Sequence, residues 1–337
     1  MRWLIWVILG VATLWGGLWF AASSMVERGV QDWFKGQGPA ASATRIEVAG
    51  FPSRIDLTLT EPRFGDPAAG GPVWQAPFLQ VLTIGYQPWR MIAAFPPEQS
   101  LTLPDGSTVE LTADKLQASL ALRPVTSLPL DRIVVEGHGL ALRAGAGPGV
   151  LAQKLIFATR PDPTRQNVHD IGLTLTAVQP EPGLLDAAPG AGLPDGAADV
   201  LVDVFLGFSA PIDRFAGKTH PALTLVELHK AHFGWGDILL EAEGSLAPDA
   251  AGFAEGRIDI RLSGWDSAIS VAVAAGALRH EIAPTWSEFA RRLAATSRSP
   301  GRIDLALTMT GGRMRLGPLP LGPAPRFAPS LAPSRAP

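Results

Sequence analysis

The sequence predicts a mainly β protein: an N-terminal transmembrane helix followed by long antiparallel curved sheets, with one short amphipathic helix near residues 284–296. Three observations carry this reading. Residues 3–26 are 24 consecutive residues without a charge. From residue 44 onward the apolar residues recur with a period of two, the spacing that sets alternate side chains on one face of a strand. Glycine and proline, 36 and 31 of 337 residues, punctuate those runs, as in a β-dominated body.

The first element follows from length. At ~1.5 Å per residue, 24 helical residues reach about 36 Å, enough for a ~30 Å hydrocarbon core with some tilt. Four of the ten tryptophans lie in this run: Trp3, Trp6, Trp15 and Trp19. Tryptophan favours the headgroup level, so these four, with Phe20, are the expected membrane-anchor residues. A cleaved signal peptide ending at Ala21, Ala22 and Ser23 is the competing reading, but its apolar stretch is usually ~7–15 residues. Arg2 precedes the run, and Arg28 and Lys35 follow it among Glu27 and Asp32, so charge does not set the orientation. The short leading tail favours export of the body. Val26, Val30, Trp33 and Phe34 extend a helical stripe to a stop at Gly36, Gly38 and Pro39.

Strands come next. Arg54 to Thr60 alternates polar and apolar, with Ile55, Leu57 and Leu59 on one face. Val109, Leu111, Leu116, Leu120 and Leu122 continue the theme. Pro104, Asp105 and Gly106 supply a turn, proline fixing φ and glycine accepting φ > 0. Further strands are expected at 80–86, 131–143, 151–160, 170–178, 200–209, 222–233, 236–246, 256–263 and 268–275. Residues 284–296 read as a helix with Trp286, Phe289, Ala290 and Leu293 on one face and Arg291 and Arg292 off it. This divides the chain into an anchor and juxtamembrane helix (1–38), a β-rich body (44–182), a loop or seam rich in Ala, Gly and Pro (183–198), a second β-rich body (199–317) and a Pro-rich tail (318–337) that should be extended or disordered.

One pattern, R-I-D-[LI]-x-L, occurs three times, beginning at Arg54, Arg257 and Arg302. Strand chemistry accounts for it: Arg and Asp on the wet face, Ile and Leu on the other. A duplicated ligand-binding strand is the functional alternative.

The chain offers little catalytic chemistry. A net charge of −3 argues against nucleic acid, which needs a basic face. No cysteine means no disulfide, thiolate metal site or cysteine nucleophile. Of six histidines, only His229 and His232 are closely spaced, and three apart on a strand they point to opposite faces. Phosphate-loop, dinucleotide and nucleophile-elbow patterns are missing. No enzyme, cofactor or metal is therefore expected.

Gly50, Phe51, Pro52 and Arg54, then Trp74, Ala76 and Pro77, Tyr86 and Pro88, and Leu128 through Arg132 together resemble the bacterial family of domain of unknown function 2125, from the anchor to about Pro320. That resemblance implies architecture and no activity. The run from Trp235 to Leu246, Asp249, Gly252, Gly256 to Leu262 and Met314 to Pro320 is similar to the C-terminal meander of AsmA-like envelope proteins. That likeness implies a membrane-anchored periplasmic chain whose curved sheet lines an apolar groove and serves phospholipid transport.

The expectation is thus a non-catalytic, single-pass inner-membrane protein with its body in the periplasm. Its partners would be the membrane, a phospholipid or other envelope lipid, and envelope proteins. The expected groove is lined by Ile55, Leu57, Leu59, Ile258, Ile260 and Leu262. The alternative is a periplasmic scaffold with a fully self-packed core and no ligand.

Overall fold

The computed structural model describes residues 2–66, 70–185, 194, 196–297 and 301–327; within its helices, the side chains at 2, 4, 5, 7–9, 11, 12 and 296 lie outside that description. Helix α1 (Arg2–Gln37) runs 36 residues and stops at a short 3-10 turn, Gly38–Ala40, where glycine and proline were expected to end it. Its second half is covered: Ser23 and Phe34 are buried, and Phe34 packs with Ala41 and Leu59. Among the described residues no helix is long and apolar enough to cross a membrane. The side chains at 4, 5, 7–9, 11 and 12, which carry much of the expectation of a span, lie outside those residues.

The chain divides into two compact units, residues 1–124 with 134–147, and 125–133 with 148–337. In the first, the chain crosses the sheet as long strands that are each broken for two residues. The pieces are β1 (Ala41–Ser42) and β2 (Arg45–Ala49), β3 (Arg54–Thr60) and β4 (Arg63–Phe64), β5 (Val73–Gln75) and β6 (Phe78–Ile84), β7 (Gln87–Phe95) and β8 (Glu98–Thr102), and β9 (Thr108–Thr112) and β10 (Lys115–Leu122). On one side of the breaks the antiparallel order is β2, β3, β6, β7, β10. On the other it is β1, β4, β5, β8, β9 and then β11 (Leu130–Ala144).

The breaks therefore form one line across the sheet. Proline explains three of the five, at Pro62, Pro77 and Pro96–Pro97, because its nitrogen has no hydrogen to give the ladder. The line is still stitched by backbone bonds, from Thr44 N–H to Thr60 O (2.9 Å), Glu61 N–H to Pro77 O (2.9 Å) and Ala113 N–H to Pro97 O (2.8 Å). Pro62 and Pro96 are fully buried there.

The second unit is a consecutive antiparallel meander. Its strands are β12 (Val150–Pro161), β13 (Val168–Pro180), β14 (Ala198–Phe208), β15 (Leu223–Trp235), β16 (Ile238–Pro248), β17 (Ala254–Ser263), β18 (Arg302–Thr310), β19 (Arg313–Leu316) and β20 (Leu319–Pro323). Each pairs with the next. A four-residue helix α2 (Ala216–Thr219) lies between β14 and β15, while α3 (Trp265–Ala274) and α4 (Ala283–Thr296) lie between β17 and β18. One core packs Leu246, Ala254, Ile258 and Met309 against Ala324.

One strand expectation changes. Residues 268–275, read as a strand from the alternation of Ile269, Val271 and Val273, form helix α3 instead. Trp265, Ala268, Ile269 and Ala272 are spaced i, i+3, i+4, i+7, and burial of that stripe outweighs the β-branched alternation. In the Pro-rich tail, expected to be extended or disordered, Leu319–Pro323 form the extended strand β20 paired with β19, its prolines sitting on the sheet's last strand, where a missing donor is tolerated. Residues 328–337 lie outside the described residues. The segment 183–198, expected as a loop or seam, connects β13 and β14, which are hydrogen-bonded neighbours; its residues 186–193 and 195 lie outside the described residues. The helix expected at 284–296 is present as α4.

Candidate functional site

An apolar cavity of about 310 Å³ lies in the second unit between α3, α4 and the sheet. Its construction starts at Gly264, whose φ of 62° turns the chain out of β17 into α3. The α3 stripe supplies Trp265, Ala268, Ile269 and Ala272. A backbone bond from Leu278 N–H to Ala272 O (2.9 Å) folds the chain back towards α4. Helix α4 then contributes the face expected from its periodicity: Trp286, Phe289, Ala290 and Leu293. The Trp286 and Phe289 rings meet edge to face at 6.1 Å. Leu262, Ile303, Leu305 and Leu316 form the floor. Among the described residues no charged side chain lines the cavity, and its size is at the lower end of the ~300–1,000 Å³ usual for ligand pockets.

A second cavity of about 520 Å³ adjoins it, sharing Leu293 and Leu305, and is polar. Here two copies of the R-I-D pattern lie side by side. Strands β17 and β18 pair Arg261 with Asp304 and Leu262 with Ile303, so one face collects the arginines and aspartates and the other the aliphatics. Arg257 pairs with Asp259 (2.5 Å), Arg261 with Glu243 (2.6 Å) and Arg302 with Asp304 (3.1 Å), and the Ser297 hydroxyl donates to Asp304. The third copy, at Arg54, belongs to the other unit. A third cavity, about 750 Å³ and of mixed polarity, follows the line of breaks in that unit and is lined by Thr44, Glu61, Arg63, Gln99 and Glu110 among others.

The six expected groove residues divide between the two units, three in each. Ile55 and Leu59 are buried in the first unit, and Leu57 packs in the cluster that Phe34 of α1 covers. Ile258 is buried in the second unit's core, and Ile260 packs against it. Leu262 reaches the apolar cavity. Alternation identified the face of each strand, but what covers a face is decided by elements distant in sequence. The α3 residues were missed although their spacing was a readable signal.

The anchor residues divide as well. Trp3, Trp6 and Phe20 are 69%, 74% and 61% exposed. The indole N–H groups of Trp15 and Trp19, expected to face headgroups, instead donate to the backbone oxygens of Pro52 and Arg54, each at 2.8 Å.

A polar network joins the β12–β13 turn to β14 and β15. Arg165 bonds Asp162 (2.8 Å) and Glu227 (2.7 Å) and lies over the Phe205 ring, while His229 Nε2 is 3.1 Å from Glu227. A register shift in β15 between Leu228 and Ala231 takes His229 and His232 out of regular alternation. Among the described residues no group of three or more His, Asp or Glu is placed to hold a metal ion. The Arg165 guanidinium first, then His229, holds the Glu227 carboxyl below its ordinary value. A depressed carboxyl favours the folded state above its unfolded value and loses that contribution as the pH falls through the folded one. Stability should therefore decline below about pH 4.3, the unfolded value of a glutamate. Glu227→Gln should flatten that limb in acid-unfolding curves while costing less than about 1 kcal/mol at pH 7, because both partners are partly solvated. An unchanged acid limb would show that the network does not contribute.

A family model described as "Uncharacterized protein conserved in bacteria (DUF2125)" matches residues 19–325. No curated protein and no solved structure matches the chain.

Proposed function

The chain belongs to the DUF2125 family of uncharacterised proteins conserved in bacteria, and from that premise we propose a membrane-anchored protein that holds an acyl chain of an envelope lipid without catalysis. The observation that carries this reading is the cavity between α3, α4 and the sheet, about 310 Å³ and lined by aromatic, aliphatic and alanine side chains. Such a lining offers an acyl tail about 0.8 kcal/mol per buried methylene and no polar group to orient anything else. The uncharged run at residues 3–26 supports an anchor in the inner membrane. Placing the body in the periplasm is part of the same reading, as is the likeness of the 235–320 region to AsmA-like envelope proteins.

The test is lipid content. Full-length protein purified in mild detergent should carry fatty acid or phospholipid in native mass spectrometry and should take up a fluorescent fatty acid. Ala272→Phe, which fills the cavity from α3, should lower occupancy at least tenfold. Arg292→Phe, on the exposed face of α4, should leave it unchanged and so control for the added bulk. Wild-type protein with neither bound lipid nor probe uptake would overturn the proposal.

That failure would favour a scaffold, which has an observation of its own. The faces carrying Ile55 and Leu59, and Ile258, are already covered by the chain's own α1 and by the segment around Ala324.

A further inference from the structure

We infer that the β2–β3 turn, residues 50–53, and the adjoining β6–β7 turn sit in the headgroup layer of the membrane beside α1, so that the protein meets lipid through a sheet edge as well as through its helix. This rests on the anchor reading above.

The turn is fastened to the apolar run itself. Trp15 and Trp19 donate to Pro52 O and Arg54 O, and a Cβ on Gly16 would touch the Phe51 ring at 3.8 Å. Phe51 stacks on Phe20 at 5.8 Å and meets Trp19 edge to face at 5.4 Å. The β6–β7 turn is tied to the same place by a bond from Gly85 N–H to Ser53 O at 2.8 Å. These two indoles therefore have their hydrogen bonds met inside the protein, and the turn shares whatever environment surrounds residues 15–20.

Exposure and charge identify that environment. Phe51 is 53% exposed and Tyr86 63%, beside the equally bare Leu18 and Phe20. Residues 50–53 and 84–88 carry no charged side chain. Aromatic rings clustered beside an uncharged helix match the chemistry of the headgroup layer, where an amphipathic ring keeps one end wet. Length agrees. From Trp3 to Trp19 the helix rises about 24 Å, most of a ~30 Å hydrocarbon core. From Ser23 onward α1 turns buried side chains to its own sheet. The membrane boundary thus falls near Trp19 to Ser23, level with Phe51, rather than at Val26.

The chain has no cysteine, so single-cysteine variants are direct probes. Full-length Phe51→Cys, Tyr86→Cys, Leu14→Cys and Asp105→Cys would be spin-labelled and reconstituted in phosphatidylcholine–phosphatidylglycerol vesicles. Accessibility to oxygen and to a water-soluble nickel chelate would then be compared. Labels at 51 and 86 should show a several-fold higher oxygen-to-nickel ratio than the label at 105, the exposed turn, and a shallower depth than the label at 14. A lipid-exposed label at 14 with labels at 51 and 86 as wet as that at 105 would overturn this inference and leave the anchor standing. Spin–spin broadening at 51 that vanishes on dilution with unlabelled protein would also overturn it, in favour of contact with a second copy. A water-accessible label at 14 would remove the anchor reading and this inference with it.

Discussion

Replacing Gly244 with alanine is expected to destabilise the second unit by about 3–5 kcal/mol, among the largest effects of any single substitution in this protein. Gly244 sits in β16 opposite Ile258, and Gly256 sits in β17 opposite Leu246, so the two glycines lie diagonally, two positions apart along one strand pair. Their φ angles are 150° and 142°, a region that L side chains rarely enter. A Cβ on Gly244 would lie 2.2 Å from Arg257 O, and one on Gly256 2.2 Å from Ser245 O. Both obstacles are backbone, so relief requires the strands to part. Leu246, Ala254 and Ile258 of the core lie on those same strands and would move with them. Urea unfolding of the full chain in detergent measures the effect. Gly172→Ala in β13, where a Cβ meets nothing within 4 Å, is the control and should cost little. Equal midpoints for the two variants would contradict the close approach of β16 and β17.

Phe34→Ala should cost about 3–4 kcal/mol, since a buried phenylalanine lost to a cavity falls in that range. Phe34 is the buried residue through which the C-terminal part of α1 packs on the first unit. It stacks on Phe64 at 5.8 Å, Phe64 stacks on Trp74 at 5.7 Å, and Trp74 meets Phe95 edge to face at 6.0 Å. The end of this row is polar, where the Trp74 indole N–H donates to Gln99 Oε1 at 3.1 Å. Loss of Phe34 should weaken the near-ultraviolet dichroism of the aromatic row and speed tryptic cleavage after Lys35. Phe34→Leu should recover about half of the stability, and Trp33→Ala, at a half-exposed ring, should cost much less. If Trp33→Ala and Phe34→Ala unfolded alike, the row would not be the attachment.

These two sites differ in how far the sequence announced them. Strands β11 to β18 were readable because alternation and turn residues are local, and α4 was readable from Trp286, Phe289, Ala290 and Leu293. The line of breaks in the first unit was not. Pro62, Pro77 and Pro96 read as punctuation between separate strands, and only the pairing of β3 with β6 and β4 with β5 makes them interruptions within continuous ones. Helix α3 was hidden because Ile269, Val271 and Val273 alternate while Trp265, Ala268, Ile269 and Ala272 form a stripe. Two patterns overlapped, and packing against α4 and the sheet selected one. Half of the candidate cavity was therefore legible, the half on α4. Its other wall and its floor depend on which face of β17 and β18 the helices cover.

The meander of the second unit has a consequence for how the chain acquires its structure. From β13 to β17 every strand pairs with the one just before it, so each new strand extends an edge already made. These connections run from 2 to 17 residues, and because closure entropy grows only slowly with loop length the cost at each step is modest. A chain emerging N-terminus first would assemble this sheet in the order of its synthesis. The exception is the join of β17 to β18, which pair Ser263 with Arg302 across the α3–α4 insertion. That one closure completes the cavity walls and the last strands together, making the apolar cavity the latest part of the unit to form.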